Sequence, residues 1–381
     1  MPAKELRRGG ANAADPWSAV GALHSQIGSA DLAFALIFCS PRYDLSAVAA
    51  AIRHYFGKTA VFGCTTAGEI TPFGYISGGI SGIGFPAGDF TIVPTLFRGL
   101  GDFKIAPTIE QTRHAMEIQA KNAAAGPLRA ADSFALLLVD GLSMREEQLA
   151  SAIGNTLNGT PLVGGSAGDG MNFNRSFVFY DHDFIADAAI LLLITTKRRF
   201  SVFKTEHFVP TGRKMVVTGA DLDRRRVYEI NAEPAAEEYA RVAGLSGMPL
   251  SPKIFAAHPV MVRVGGEYHV RAIQKVNPDN SLTFFCAIDE GIVLTAAEGV
   301  DILEDLQRLF RRLRHEVGPP DLILGCDCVL RNLEIDQRQL KPAVSSLFVE
   351  QHVVGFCTYG EQYMSMHVNQ TFTGVIIGAG G

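Results

Sequence analysis

Two rhythms of apolar residues run along the chain. Unbroken apolar runs of strand length alternate with stretches where apolar positions recur every three or four residues, the period of a half-buried helix. The first set opens at Asp31 with the run Leu32–Phe38, continues through a helical Leu45–Phe56, and reaches Val61-Phe-Gly-Cys-Thr-Thr-Ala-Gly-Glu69. The second opens at Asp132, passes a helical Glu146–Leu157, and reaches Leu162-Val-Gly-Gly-Ser-Ala-Gly-Asp169. The third opens at Asp321, passes a helical Lys341–Val349, and reaches Val353-Val-Gly-Phe-Cys-Thr-Tyr-Gly-Glu361. From the opening Asp to the first Gly the spacing is 32, 32 and 34 residues (Asp31 to Gly63, Asp132 to Gly164, Asp321 to Gly355). A further strand follows each: Ile80–Phe85, Ala188–Ile194 and Thr371–Ile377. Order, spacing and the closing Gly-acid pair predict three diverged copies of one β-α-β-β unit.

The pattern changes between residues 205 and 320. Glu233-Pro234 opens a helix with proline in its first turn. His258–Val264 and Tyr268–Val276 form a hairpin around Gly265-Gly266, a two-residue turn suited to positive φ, and Ser281–Ile288 is another strand. Ile302–Val317 carries Leu303, Leu306, Phe310 and Leu313 on one helical face and arginines on the other. The whole reads as an α/β fold: repeated β-α-β-β units form mixed sheets covered by helices, in two lobes meeting near residues 205–235. The expected division is an N-terminal extension over 1–29, a domain over 30–230 with two repeats (31–98 and 132–204), and a domain over 231–381 with the third (321–378). No G-x-G-x-x-G opens a helix after a strand, which disfavours a dinucleotide-binding fold.

Composition narrows the classes. The chain has 381 residues, 47% hydrophobic and 19% charged, enough for two or three packed domains. Its net charge of −5 leaves no basic surplus for nucleic acid or anionic lipid. The longest uncharged apolar run, near Ala188–Ile194, covers about seven residues against the roughly 20 a membrane helix needs. No apolar stretch follows Lys4, Arg7 and Arg8, so no secretory signal is expected. Six cysteines, mostly inside apolar runs, suit reduced thiols in a cytoplasmic protein.

The chemistry-bearing candidates gather at the three Gly-acid turns. Small residues after a buried strand let a backbone come close, to a ligand or to another strand. Gly164-Gly-Ser-Ala-Gly168 has the form of a nucleophile elbow, but that motif needs a helix after its serine, and Asp169–Asn174 reads as a loop. Thr65 and Cys357 hold the slot of Ser166 in the other copies, as duplication predicts and a single catalytic triad does not. Cys326-Asp-Cys328 puts two thiols on one strand face without the further ligands zinc requires. Three of the ten histidines stand out: His258 before Pro259, His269 two residues from Arg271, and His367 beside Asn369. Arg331 is expected at the end of a strand Leu322–Leu330, its planar fork suited to a carboxylate.

Together these motifs resemble the FIST sensory domain. The resemblance rests on Gly63–Ile70, Leu162–Asp169, Gly325–Arg331 and Gly355–Glu361 with Asn369–Thr371, and covers about residues 30–378. It implies a cytoplasmic ligand-sensing module of signal transduction, not an enzyme, sometimes a homo-oligomer. The chain reads as stand-alone, which resembles a subset of bacterial nitric-oxide sensors that carry haem and act on a partner histidine kinase. With no C-x-x-C-H in the sequence, such haem is non-covalent haem b. His258, His269 and His367 are then the candidate iron ligands, and Arg331 a propionate anchor. The alternative sensor takes a small amino-acid-like ligand at the turns, through Gly63, Cys64, Thr65, Glu69, Gly164, Gly165, Ser166, Asp169, Glu361 and Asn369. A third reading is a hydrolase with Ser166, Cys64 or Cys357 as nucleophile.

Overall fold

A computed structural model describes residues 5–129 and 132–379, so the expected outer limits at residues 1 and 381 lie outside the described residues. Mixed sheets and covering helices make up the α/β fold. In the first unit Leu32–Cys39 pairs parallel with Ala60–Thr65 and antiparallel with Ile80–Pro86. Ser133–Val139 pairs likewise with Leu162–Ser166 and Ala188–Thr196, and Pro320–Cys328 with Val353–Thr358 and Phe372–Gly378. The helical stretches fall where periodicity puts them, at Leu45–Phe56, Glu146–Thr156 and Lys341–Glu350. The Asp44 side chain caps the first of these, accepting from Ser46 N and Ala47 N.

The repeat begins earlier than its sequence signature. Residues expected as an extension supply a strand, Arg7–Ala11, that pairs with Ile80–Pro86, and a helix, Pro16–Ile27. The equivalent outer strands are Phe90–Arg98 on Ala188–Thr196 and Phe200–Thr205 on Phe372–Gly378. Strand 90–98 therefore serves the second unit and strand 200–205 the third, one unit later than expected. The glycine-rich turns are the best-matched parts of the copies, and they sit mid-unit.

Alternation along the central strands explains their unbroken apolar runs. Phe34, Leu36 and Phe38 meet Phe134, Leu136, Leu138, Leu322, Leu324 and Cys326 in one core between the three sheets. The intervening Ala35 and Ile37 pack instead on helices Pro16–Ile27 and Leu45–Phe56, and Ala135 and Leu137 on the second unit's helices. Both faces are dry, so no polar alternation survives. Burying each of these phenylalanines contributes about 1.5–3 kcal/mol.

Between the units, hairpins are exchanged in a ring. The first unit's hairpin, Glu69–Thr71 with Gly74–Ile76, adds to the third unit's Val353–Thr358. The second unit's hairpin, Val178–Tyr180 with Asp183–Ile185, adds to the first unit's Ala60–Thr65. The third unit's hairpin, Glu361–Tyr363 with Met366–Val368, adds to the second unit's Leu162–Ser166.

The second lobe is an insertion within the third unit. An eight-stranded sheet runs from strand Phe208–Asp221 to strand Val293–Gly299, two strands that pair at the neck through Phe208 and Gly299. The expected hairpin appears as Val260–Val264 with Glu267–Arg271, and its turn glycines have φ of +59° and +93°. Helix Ile302–Val317 then returns the chain to the ring, with Asp301 capping Glu304 N at 2.8 Å.

Candidate ligand-binding cleft

At the centre of the ring the three turns bind one another. Ala67 N donates to Cys357 O at 2.9 Å, Gly168 N to Thr65 O at 3.0 Å, and Tyr359 N to Ser166 O at 3.2 Å. Return bonds run from Cys357 N to Gly68 O at 2.7 Å and from Ser166 N to Gly360 O at 2.8 Å. The first glycine of each turn answers a different closeness, inside its own unit. A Cβ on Gly63, Gly164 or Gly355 would lie 1.7, 1.9 or 1.8 Å from a backbone carbonyl oxygen of the neighbouring strand. These glycines serve strand-to-strand packing, and the amides expected to take a ligand carboxylate are spent between units.

The buried neighbours follow the same logic. Cys64, Thr65, Gly165 and Ser166 lie inside, and a Cβ on Gly165 would meet Thr358 at 2.6 Å. Ser166 Oγ accepts from Gln362 Nε2 at 2.9 Å, and no imidazole hydrogen-bonds Ser166, Cys64 or Cys357 among the described residues. A loop follows the serine where an elbow needs a helix. Burial pushes the Cys64 and Cys357 thiols well up, away from the nucleophilic thiolate.

Glu69 and Glu361 are equivalent staples. Glu361 accepts from the Thr358 hydroxyl, from Thr371 Oγ1 at 2.7 Å and from Thr371 N at 3.2 Å. Glu69 accepts from Thr66 Oγ1 and, at 2.9 Å, from Gly79 N. Each closes its exchanged hairpin onto the strand that follows. Burial raises Glu361 to about 8 and Glu69 to about 7, against hydrogen bonds that favour the anion. Arg42 also pulls Glu69 towards its charged form. Asp169 sits one position earlier in its turn and caps a loop, accepting from Phe173 N, Asn174 N and Arg175 N at 2.8–3.1 Å. Its other partner is the Tyr359 hydroxyl.

The open space lies beside the centre, at the carboxyl ends of the parallel strands, where α/β folds place ligands. It is a cleft of about 600 Å³. One wall is Ser40-Pro41-Arg42, directly after strand Leu32–Cys39, with Thr66–Glu69 beneath it. A second is the loop from Asp169 to Arg175. The third is helix Val329–Gln337 with Lys341. Arg42 and Arg175 are exposed, and Arg175 Nη2 donates to Pro41 O at 3.2 Å. Lys341 Nζ lies 3.8 Å from Asp336. Three cations thus border one polar cleft.

Of the turn residues expected to hold a ligand, Glu69 and Asp169 border this cleft; Gly63, Cys64, Thr65, Gly164, Gly165, Ser166, Glu361 and Asn369 do not. Arg42, Arg175 and Lys341 escaped sequence reasoning, being single cations in loops or at a helix start. The usable signal was position, since Arg42 closely follows the carboxyl end of a buried strand.

The expected haem residues lie elsewhere. None of His258, His269, His367 and Arg331 borders the cleft. His367 is buried with its ring nitrogens 3.4 Å from the Gln362 and Asn369 amides, and a Cβ on Gly360 would touch its Cε1 at 2.2 Å. Both ring nitrogens thus already face amide groups of the protein. His269 is buried in strand Glu267–Arg271, and half-buried His258 caps the end of helix Pro252–Ala257. Arg331 is not at a strand end. The strand stops at Cys328, helix Val329–Gln337 starts at once, and Arg331 is fully buried in it against Asp327 at 3.0 Å. A guanidinium committed there does not fit a propionate anchor.

Comparison with known proteins places the chain in a family. The FIST N domain matches residues 33–233 and the FIST C domain residues 235–364. The chain belongs to the FIST family. FIST domains are sensor domains of signal transduction, and the division between the two FIST parts falls inside the inserted sheet, not between ring units. An uncharacterized protein of Methanocaldococcus jannaschii is 24% identical over 266 residues, covering 61% of this chain and 51% of that protein. The chain thus spans about half the length of that relative. A cyanuric acid hydrolase from A. caulinodans aligns over 100% of this chain and 99% of its own, at 10% identity and a TM-score of 0.34, which carries no argument for fold or activity. No helix among the described residues is long and apolar enough to cross a membrane.

Proposed function

We propose that this FIST protein is a cytoplasmic sensor that binds a small amino-acid-like molecule in the cleft between the three units. The observation that carries the reading is the convergence of Arg42, Arg175 and Lys341 on one polar space of about 600 Å³. Guanidinium forks suit a planar carboxylate, and Asp336 offers a charge partner to an ammonium. Asp169 and Glu69 shape the walls, because their oxygens are already engaged by the loop and the hairpin. Occupancy is passed to a signalling partner such as a histidine kinase, and the role needs no catalytic step. A ligand that binds the folded chain raises its melting temperature by mass action. Thermal melts with single amino acids are expected to rise for at least one of them, and to rise less for Arg42→Ala at the same ligand concentration. A full set of amino acids and simple carboxylates that moves nothing overturns the reading.

A further inference from the structure

Two of the three cleft walls are also the seat of the inserted sheet. Helix Val329–Gln337 turns one face to the cleft, with Val329, Asn332, Leu333 and Asp336 at helical spacing. Another face carries Arg331 and Glu334, both buried and both on His207. Arg331 Nη1 donates to His207 Nδ1 at 2.8 Å, which leaves Nε2–H to donate to Glu334 Oε2 at 2.7 Å. His207 is the residue before strand Phe208–Asp221, and its carbonyl accepts at 2.7 Å from Val300 N, just after strand Val293–Gly299. Both chain crossings into the lobe therefore meet on this helix.

The loop wall repeats the arrangement. Met171, Asn172, Asn174 and Arg175 border the cleft, while Phe173 packs on Tyr359 and on Phe285 of the lobe, with ring centroids 4.7 and 5.5 Å apart. Arg225 of the lobe grips the ring a third time. It donates to Glu146 and Glu147 of the second unit at 2.6 Å each, and to Phe285 O at 2.6 Å.

We infer that the inserted sheet, residues 208–299, is the element that responds to the cleft, driven by helix Val329–Gln337 and the loop from Asp169 to Arg175. The inference rests on the cleft being the ligand site and names what the ligand moves. A ligand that draws Arg175 towards Lys341 shifts the two walls relative to each other. Packed interfaces of this kind settle into discrete arrangements rather than deforming smoothly. By linkage, a change in the seat must alter ligand affinity to the same degree that the ligand alters the seat.

Hydrogen exchange on the full chain tests this, with Asn332→Trp and Met171→Trp each filling the cleft from one wall. Both are expected to change exchange in strands Phe208–Asp221 and Val293–Gly299 while leaving Ala188–Thr196 unchanged. Changes confined to the cleft walls in both variants overturn the inference. In a second arm, the amino acid giving the largest melting shift is added to wild type and to Phe285→Ala. Exchange in the lobe should move in wild type, and Phe285→Ala should change the affinity about fivefold. If an amino acid binds but the lobe is unmoved and Phe285→Ala binds equally, coupling fails and the site stands. If none binds but the tryptophan variants move the lobe, the ligand assignment fails and the coupling stands.

Discussion

The turns at the ring centre and the rim of the cleft are a few residues apart in sequence and differ in almost everything else. At the centre the three units are alike: a glycine under a carbonyl, small buried residues, and backbone bonds passed from unit to unit. At the rim they diverge. The first unit leaves its strand through Ser40-Pro41-Arg42, the second through Asp140-Gly141-Leu142, and the third enters helix Val329–Gln337 directly. Repetition in a duplicated chain reports what assembly demands, and the three cations that border the cleft lie where the repeats part company.

Substitutions should separate the two regions, the largest effects lying at the centre. Gly164→Ala puts a Cβ 1.9 Å from Leu137 O in a parallel pair that cannot open. Its cost should exceed about 4 kcal/mol in chemical denaturation, or leave no folded chain. A mild effect would mean that the turns are adaptable and the centre is not the lock described here.

Arg331→Ala comes next. It leaves Asp327 with the Tyr75 hydroxyl but no counter-charge and His207 without its donor, and breaking a buried pair from one side costs about 3–5 kcal/mol. An exposed propionate anchor would cost little, so the same denaturation curve also checks the placement of Arg331.

The staples predict a pH dependence. Glu361 is held at about 8 in the folded chain against an ordinary 4.5, so between those values the folded state binds the more protons. Stability therefore falls as pH rises through that window, and levels off above it. Glu69, held at about 7, adds a loss of the same sign. Burial lowers His207, His258, His269 and His367, which acts in the opposite sense below about pH 7. Melting temperatures should therefore decline from about pH 7 to about pH 9 in wild type and decline less in Glu361→Gln. An identical slope in the variant would show that Glu361 is not the proton-binding group.

The smallest stability effect belongs to the rim. Arg42→Ala should stay within about 0.5 kcal/mol of wild type in denaturation. The same substitution should weaken ligand binding by about tenfold or more, as loss of a hydrogen bond to a charged group does. A stability loss comparable to that at the centre would erase the distinction between the two regions.

Much of the ring was legible in the sequence because its strands are buried on both faces. Unbroken runs such as Leu32–Phe38 are hard to mistake, and the amphipathic period of Ile302–Val317 marks that helix to the residue. The exchange of hairpins was not legible. Nothing in Glu69–Ile76 says which sheet it joins, and its partner strand lies almost 300 residues away. Helix Val329–Gln337 was hidden for a related reason. Val329 and Leu330 continue the apolar run of the strand before them, so the periodicity changes without any polar break. The glycines of the turns were visible, but their purpose was not, because a duplicated chain repeats packing glycines as faithfully as binding ones. The cations of the cleft carry no local pattern, since they come together only when the three units close.

The most direct measurement is a crystal structure of the full chain grown with the amino acid that gives the largest melting shift. The account predicts that molecule in the cleft, with its carboxylate on Arg42, Arg175 or Lys341 and helix Val329–Gln337 against its other side. A ligand bound elsewhere, with the cleft holding only water, would contradict it.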